Sequence, residues 1–325
     1  EQVIGNVVRL AKSHSGSRFL QQKLEEGDRD FFAVFYEEMK DHVPELMVDN
    51  FGHFAIEKLI VQANEEQTLT LLQKLAPHIV QVACQKHGSF SVQALVDSIR
   101  TPAQIYVLVE ALTKDIVKVI THVSGHFVVL RLLQRFPYDF TKFIDDAITA
   151  NCLQIGTDHH GLRVVKAVLA LRRPSELTRL FKTIAKLTMK LVENQFGNYV
   201  IQSLLDVAPP NVRTNVKVKM EGKYMRLSQQ KFSSNVVEKC LKQSSAHWRG
   251  IIIKELMQQP QVSDLLRDRY GNYVLQTALS VATCGIDHVQ VQEISEAINQ
   301  HLPSLRENVR GKWKKMLKKA AQRVV

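Results

Sequence analysis

The chain has 325 residues, of which 45% are apolar, and a formal net charge of +11. The charge is uneven, because residues 1–162 hold 15 Lys and Arg against 20 Asp and Glu, whereas residues 163–325 hold 28 against 12. The resulting net charges of −5 and +16 favour a polyanionic partner, either nucleic acid or an anionic membrane surface, bound more strongly at one end. No apolar run reaches eighteen residues, so no segment is predicted to span a bilayer.

The cysteines and the N-terminus exclude further classes. Cys84, Cys152, Cys240 and Cys284 are far apart and form no CxxC, so zinc and iron–sulfur ligation have no support and no cofactor is predicted. We expect four reduced thiols in a cytosolic protein. The first residues show neither an initiator Met nor a signal-peptide pattern, so we expect an internal fragment of a longer protein.

A repeated phrase runs through the chain. It is a turn residue, usually Gly, followed by a block of five residues whose positions we number 1 to 5. Block position 1 recurs at intervals of 36 to 38 residues, a register that chance does not maintain. The eight copies, each with its turn residue, are Gly16–Gln21, Gly52–Glu57, Gly88–Gln93, Gly125–Leu130, Gly161–Lys166, Gly197–Gln202, Ser233–Glu238 and Gly271–Gln276.

Each repeat also has an apolar segment before its block. Leu180, Phe181, Ile184 and Leu187 precede Gly197 at helical spacing, and strand-like alternation is not sustained anywhere. Each repeat is therefore predicted to be a helix, a short turn at the Gly and a second helix, with prolines between repeats. Such units bury their faces only by stacking, which predicts an all-α fold, a right-handed α-solenoid (curved superhelix) of eight repeats of about 36 residues. We expect one domain over residues 1–325.

The two ends differ from the inner repeats. Residues 1–14 are predicted to be the first helix of repeat 1. A degenerate ninth copy runs from Leu305 through Gly311 to Met316, within a predicted C-terminal cap at about 285–325. Residues 304–325 hold eight Lys and Arg against one acid, which is typical either of a solvated amphipathic helix or of a phosphate-contacting or nuclear-targeting tail.

The positions of the block have different chemistry. Positions 3 and 4 are almost all apolar, from Phe19-Leu20 in repeat 1 to Val274-Leu275 in repeat 8, and are predicted to be core. Positions 1 and 5 lie one helical turn apart on the same face, with position 2 at its edge. An aromatic ring or a guanidinium at position 2 can stack on a single-stranded base, while the two polar groups contact the base edge. The stacking candidates are Arg18, Phe54, Phe90, Phe127, Arg163, Tyr199 and Tyr273, with Asn235 the weakest.

These blocks resemble the Pumilio (PUF) family of RNA-binding proteins over residues 1 to about 320. The matching motifs are Ser17-Arg18 with Gln21, Asn198-Tyr199 with Gln202, Ser234-Asn235 with Glu238 and Asn272-Tyr273 with Gln276. The resemblance implies one base per repeat, with the RNA antiparallel to the chain so that repeat 8 meets the 5′ base. It also implies binding to mRNA 3′ untranslated regions in the cytoplasm, and translational repression or decay through co-repressors or deadenylation machinery.

Together with this resemblance, hydrogen-bond chemistry predicts the bases. An Asn–Gln pair matches the mixed edge of uracil, a carboxylate accepts from the two adjacent donors of guanine, and one Gln opposite a small residue matches adenine. Uracil is predicted for repeats 6 and 8, guanine for repeat 7, and adenine for repeats 1 and 3, which gives 5′-UGU-N-N-A-N-A. The polar pairs are Asn198 and Gln202, Asn272 and Gln276, Ser234 and Glu238, Ser17 and Gln21, and Ser89 and Gln93.

Repeats 2, 4 and 5 depart from this pattern. Repeat 2 pairs His53 with Glu57, which can accept from guanine or from the amine of cytosine. Repeat 4 pairs His126 with Leu130, and repeat 5 pairs Leu162 with Lys166, so both lack a base-matched acceptor. Stacking alone, RNA that bulges away and a different register all remain open for these repeats.

The prediction is thus a sequence-specific binder of single-stranded RNA with no catalytic activity, no metal, no membrane partner and no small-molecule substrate. Asp158-His159-His160 has metal-ligand residue types, but His160 occupies the turn position before Gly161. Two alternatives remain. One is a Pumilio-like ribosome-biogenesis factor with relaxed RNA specificity, and the other is a protein-binding scaffold of the armadillo or HEAT type, which the polar triads disfavour.

Overall fold

The computed structural model describes residues 3–258 and 262–324 of the chain. They form two compact units, Glu1–Arg173 and Pro174–Val325, which contain helices and turns and, within the described ranges, no strand. Each unit is a stack of helical repeats, so the predicted all-α solenoid class is confirmed. None of the helices in these ranges is long and apolar enough to cross a membrane.

The first unit holds blocks 1 to 5. Its block helices pack in sequence order, and the long helices that precede the blocks form a second row. The helices are α1 (Val7–Ala11), α2 (His14–Glu25), α3 (Arg29–Met39), α4 (Val43–Val48), α5 (Gly52–Gln62), α6 (Glu65–Leu75), α7 (Ile79–Ala83), α8 (Lys86–Ser98), α9 (Pro102–Thr113), α10 (Ile116–Ile120), α11 (Gly125–Arg135), α12 (Tyr138–Ala150), α13 (Cys152–Gly156) and α14 (Gly161–Leu171). Contacts run from α2 to α5, α8, α11 and α14 in turn, and from α6 to α9 and α12.

The second unit holds blocks 6 to 8 and the C-terminal cap. Its block helices α17, α20 and α23 likewise pack in order, and α23 contacts both helices of the cap. The helices are α15 (Thr178–Lys186), α16 (Thr188–Val192), α17 (Gly197–Val207), α18 (Pro210–Met220), α19 (Tyr224–Ser228), α20 (Ser233–Gln243), α21 (Ala246–Leu256), α22 (Val262–Arg267), α23 (Gly271–Cys284), α24 (His288–His301) and α25 (Glu307–Val324). The extent of the domain as a folding unit stays a prediction.

The inner repeats have three helices, so the predicted two-helix unit is wrong. A long helix, a short helix of five or six residues and the block helix follow each other, as in α6, α7 and α8. The break between the first two is a single 3-10 turn at Ala76–His78 in repeat 3 and a single residue, Leu187, in repeat 6. Local caps fix where the long helices begin, because the side chains of Asn64 and Thr101 cap α6 and α9 in capping boxes.

Both ends of the chain differ from the prediction. Residues 7–11 form only the short helix α1, and α2 already begins at His14, so residues 1–14 are not one helix. In the cap, Gly311 lies inside α25 rather than at a turn, and Trp313, at block position 2 of the degenerate copy, is 1% exposed. The cap therefore buries the residue that would face solvent in a true repeat.

The core lies under positions 3 and 4 of the blocks, as predicted, in repeats 2 to 8. The side chains of Val164, Val165, Val200 and Ile201 are typical, at 0% exposure. Repeat 1 is the exception, because Phe19 is 38% exposed while Leu20 is buried. The prediction that Phe19 belongs to the core is wrong.

Candidate RNA-binding surface

Position 2 of every block is exposed. The five aromatic side chains at this position are between 45% and 59% exposed, although rings of this size are normally buried. They are Phe54, Phe90 and Phe127 in the first unit and Tyr199 and Tyr273 in the second. Arg18, Arg163 and Asn235 are exposed as well. Each unit therefore presents a series of flat, exposed groups, one per repeat, as stacking on bases requires.

Position 5 lies beside this series and is partly accessible. The polar side chains at this position in repeats 1, 2, 3, 6, 7 and 8 are half-buried, which leaves hydrogen-bonding atoms within reach of a ligand. They are Gln21, Glu57, Gln93, Gln202, Glu238 and Gln276. Leu130 is half-buried and Lys166 is exposed. Positions 2 and 5 thus form the accessible part of the predicted site.

Position 1 is buried in repeats 1 to 7 and half-buried at Asn272 of repeat 8. In repeat 6, the amide Nδ2 of Asn198 donates to the carbonyl oxygens of Asn194 and Gln195, both at 2.9 Å, and its Oδ1 accepts from Nε2 of Gln202 at 3.0 Å. In repeat 8, Nε2 of Gln276 donates in the same way to Oδ1 of Asn272 at 2.8 Å. Position 1 therefore orients the position 5 side chain, whose Oε1 and second N–H remain available.

Repeats 1 and 3 use a serine for the same purpose. Nε2 of Gln21 donates to the backbone oxygen of Ser17 at 3.3 Å and to its hydroxyl at 3.2 Å. Nε2 of Gln93 makes the equivalent bonds to Ser89 at 3.1 and 3.3 Å. Each serine hydroxyl donates to the turn carbonyl of the next repeat, that of Phe51 for Ser17, at 2.7 Å. The amide nitrogen of each Gln is anchored, and its Oε1 is free to accept.

Repeat 7 places a carboxylate between two amide pairs. Oε2 of Glu238 accepts from the Thr277 hydroxyl at 2.8 Å, and Nζ of Lys242 lies 3.5 Å from the same oxygen. Ser234, at position 1, is 4% exposed. The carboxylate is therefore held in place, with its second oxygen available as an acceptor.

Histidines occupy position 1 in repeats 2 and 4 and pack between repeats. Nδ1 of His53 bonds to the carbonyl of Asp49 at 2.8 Å, and its ring lies 4.4 Å from that of His87. The His126 ring lies 4.8 Å from that of His160 and is 1% exposed. Burial lowers the pKa of His126, which favours the neutral imidazole. These two histidines support the stacking of neighbouring repeats rather than presenting an accessible polar edge.

Repeat 5 has a different surface. Leu162 is buried at position 1, whereas Arg163 and Lys166 are exposed at positions 2 and 5. Two cations with an apolar neighbour are suited to phosphate contact and to stacking through the guanidinium plane. Repeat 5 is therefore suited to attract RNA phosphates, but it has no pair of polar groups that matches a base edge.

The residue four positions before block position 1 shapes the turn, and it was not predicted as a functional residue from the sequence. Oδ1 of Asp158 accepts the backbone N–H of His160 at 2.8 Å and of Gly161 at 2.7 Å, and Asp49, Asn194 and Asp268 make the same pair of bonds. The signal is visible in register, because this position is polar in all eight repeats: Ser13, Asp49, Gln85, His122, Asp158, Asn194, Gln230 and Asp268. Asp158 thus has a structural role, because its carboxylate forms an Asx-type turn immediately before α14.

The charge differs between the two units. Residues 1–173 hold 19 basic against 20 acidic side chains, and residues 174–325 hold 24 against 12, which gives net charges of −1 and +12. Neutralisation of phosphates supplies much of the affinity of nucleic-acid-binding proteins. The unit that holds both Asn–Gln pairs and Glu238 therefore also carries the positive charge excess.

Known proteins share both the repeats and the fold. The family model described as "Pumilio-family RNA binding repeat" matches residues 6–39, 42–76, 78–113, 190–216, 223–257 and 261–285, and so contains blocks 1, 2, 3, 6, 7 and 8. Repeats 4 and 5, whose position pairs depart from the pattern, lie outside these matches.

Individual relatives agree with the family model. Pumilio homolog 12 of Arabidopsis thaliana is 33% identical over 95% of the chain, which spans 52% of that relative's length. The Puf4 RNA-binding domain bound to a 3′ UTR recognition sequence of HO endonuclease RNA is 30% identical, with a TM-score of 0.85 over 98% of this chain and 100% of that one. The RNA-binding domain of yeast Puf5p bound to MFA2 RNA is 26% identical, with a TM-score of 0.85 over 98% and 97% of the two chains. The chain therefore belongs to the Pumilio family of RNA-binding repeat proteins.

Proposed function

We propose that the protein binds single-stranded RNA that contains the element 5′-UGU-N-N-A-N-A, with repeat 8 on the 5′ uracil. The observation that carries the proposal is the second unit's arrangement, in which Glu238 lies between the hydrogen-bonded pairs Asn198–Gln202 and Asn272–Gln276. Each of these repeats has an anchored position 5 side chain, and repeats 6 and 8 add an exposed tyrosine.

The hydrogen bonds that anchor each position 5 side chain determine which donors and acceptors it retains for a base edge. In repeats 6 and 8, Gln202 and Gln276 each spend one N–H on the neighbouring Asn and retain one N–H donor and one acceptor oxygen. Uracil has carbonyl acceptors on both sides of its N3–H donor, so the retained pair matches it. In repeat 7, Glu238 has acceptors only, and guanine presents the adjacent donors N1–H and N2–H.

Repeats 1 and 3 would bind adenine at the 3′ side. The anchored amide nitrogens of Gln21 and Gln93 leave their Oε1 atoms as acceptors for the adenine amine. The exposed side chains Arg18 and Phe90 lie beside them for stacking. These repeats carry little net charge, so we expect them to add selectivity more than overall affinity.

In the cell, we expect the element to lie in mRNA 3′ untranslated regions, because the similar Puf4 domain is bound to a 3′ UTR recognition sequence. The protein would act in the cytoplasm without catalysis of its own, and would repress translation or promote decay through bound co-repressors or deadenylation machinery. The chain spans about half the length of its relative Pumilio homolog 12.

A competition experiment tests the proposal. The full chain should bind a UGU-containing RNA at least about tenfold more tightly than a scrambled RNA of equal composition, because each matched base contributes roughly 1–3 kcal/mol. Fluorescence anisotropy at fixed salt measures both affinities. Near-equal affinities would contradict the proposal and favour a ribosome-biogenesis factor with relaxed specificity.

A matched pair of tyrosines controls this experiment. Tyr199→Ala should weaken binding of the UGU RNA by about 1–3 kcal/mol through lost stacking. Tyr106, on α9, is also exposed, at 63% against 49% for Tyr199, but lies outside the blocks, so Tyr106→Ala should leave the affinity unchanged. Equal effects of the two variants would show that position 2 of repeat 6 does not contact a base.

A further inference from the structure

Two of the eight position 5 side chains are carboxylates, and a hydroxyl of the following repeat holds each of them. Glu57 of repeat 2 accepts through Oε1 from the Ser91 hydroxyl at 2.7 Å, and Glu238 of repeat 7 accepts through Oε2 from the Thr277 hydroxyl at 2.8 Å. The two contacts span 34 and 39 residues of sequence. The other four polar side chains at position 5 are amides, and each is anchored by a hydrogen bond within its own repeat. A hydrogen bond from the following repeat therefore distinguishes the two carboxylates from the amides.

Ser91 is unusual for its place in the repeat. It occupies block position 3, where the other seven repeats have Val, Ala or Phe, and it is 0% exposed. A buried hydroxyl costs free energy unless it is hydrogen-bonded. Its bond to Glu57 is much shorter than its 3.4 Å contact with the carbonyl oxygen of Met47, so the carboxylate is its main acceptor. The Ser91 hydroxyl therefore holds the Glu57 carboxylate from the buried side of the helix.

Within the block of repeat 2, Glu57 is the polar side chain that is accessible to a base edge. His53 is 5% exposed, and its Nδ1 is bonded to the carbonyl of Asp49, so the histidine belongs to the turn. Phe54 is 48% exposed at position 2 and is available for stacking. Glu57 is the half-buried polar group beside that ring.

We propose that repeat 2 is a second guanine-specific repeat, in which Glu57 determines specificity and Ser91 positions it. The proposal rests on the proposed RNA-binding function and extends it to the seventh base, so the element becomes 5′-UGU-N-N-A-G-A. A carboxylate pairs best with two adjacent donors, and guanine presents them as N1–H and N2–H, whereas adenine and cytosine each place an acceptor beside their one amine.

Four RNAs that differ only at the seventh base test the specificity. The full chain should bind the guanine form about 5- to 100-fold more tightly than each of the other three. Equal affinities, or preference for cytosine, would overturn the assignment of repeat 2. Substitution of the second base in the same RNAs tests the proposed function separately, so a loss of selectivity at base seven alone is distinguishable from a failure of UGU recognition.

Three variants test the positioning role. Ser91→Ala should reduce the guanine preference at base seven by about 3- to 10-fold and leave the preference at base two unchanged. Thr277→Val should do the reverse, and Thr277→Ser, which keeps the hydroxyl, should restore the preference at base two. Melting temperatures identify any variant that fails to fold. Unchanged selectivity in folded Ser91→Ala and Thr277→Val would overturn the positioning role of both hydroxyls.

Discussion

Replacing Ser234 with Asn and Glu238 with Gln together should change the preference at the second base of the RNA from guanine to uracil, by about 1–3 kcal/mol. In repeats 6 and 8 the Gln amide donates to the Asn oxygen at 3.0 and 2.8 Å, and the double substitution introduces the same residue pair at the same block positions. The introduced Gln would offer uracil one donor and one acceptor where Glu238 offers acceptors only.

Affinities for RNAs with each of the four bases at the second position measure this change. The reciprocal control is Asn198→Ser with Gln202→Glu, which should move the third base from uracil toward guanine and leave the second base unchanged. An unchanged guanine preference in the first double variant would show that repeat 7 does not face the second base.

Gly88→Ala should destabilise the protein by about 2–4 kcal/mol. A Cβ atom at Gly88 would lie 2.1 Å from the carbonyl oxygen of Val82 and 2.9 Å from its carbonyl carbon. Both atoms belong to the backbone of α7, so relief would require the short helix and the block helix α8 to separate. In repeat 7, where Ser233 stands at the equivalent position, its hydroxyl donates to the corresponding carbonyl of Leu227 at 2.7 Å.

Gly311→Ala is the matched control for this substitution. Gly311 lies inside α25, and a Cβ there meets no atom within 4 Å. Alanine is the better helix former, so the control should be neutral or stabilising by up to about 1 kcal/mol. Urea unfolding of the two variants compares them directly. Similar stability of Gly88→Ala and the parent protein would contradict a close approach of the helices at the turn.

The repeat period and the core positions could be predicted because they depend on local spacing. Block helices begin at Gly52, Gly125, Gly161, Gly197 and Gly271, as the turn pattern indicates. The division of the preceding segment into two helices was missed, because a single residue or a 3-10 turn interrupts the helix without disturbing the spacing of its apolar residues.

The wrong predictions at the two ends of the chain, for Phe19 and for the cap, arise from tertiary contacts. Position 3 of a block packs toward the preceding repeat, as Ser91 does against Met47 and Glu57. In repeat 1, the helix before α2 within the described residues is the short α1, and Phe19 is left partly exposed. In the cap, α25 continues through Gly311, so register alone does not predict that Trp313 is buried.

The RNA-binding role of the candidate site residues stays a prediction, and the structure adds contacts that residue type alone did not indicate. Polarity predicts that position 1 contacts the base, and the structure shows that Asn198 also bonds to the turn and to Gln202. The hydroxyls of Ser91 and Thr277 could not be found from the block pattern, because their partners lie in neighbouring repeats. In the proposed mode of binding, base specificity therefore depends on contacts between repeats as well as on each repeat's own pair of side chains.

Selection of bound RNAs from a random pool tests the central claim, that the second unit recognises UGU, most directly. The parent chain should enrich UGU followed by adenine three bases downstream, and Glu238→Gln should lose the enrichment of guanine at the second base of that element while still folding. Enrichment of no common element, or the same UGU element from Glu238→Gln as from the parent, would contradict the account.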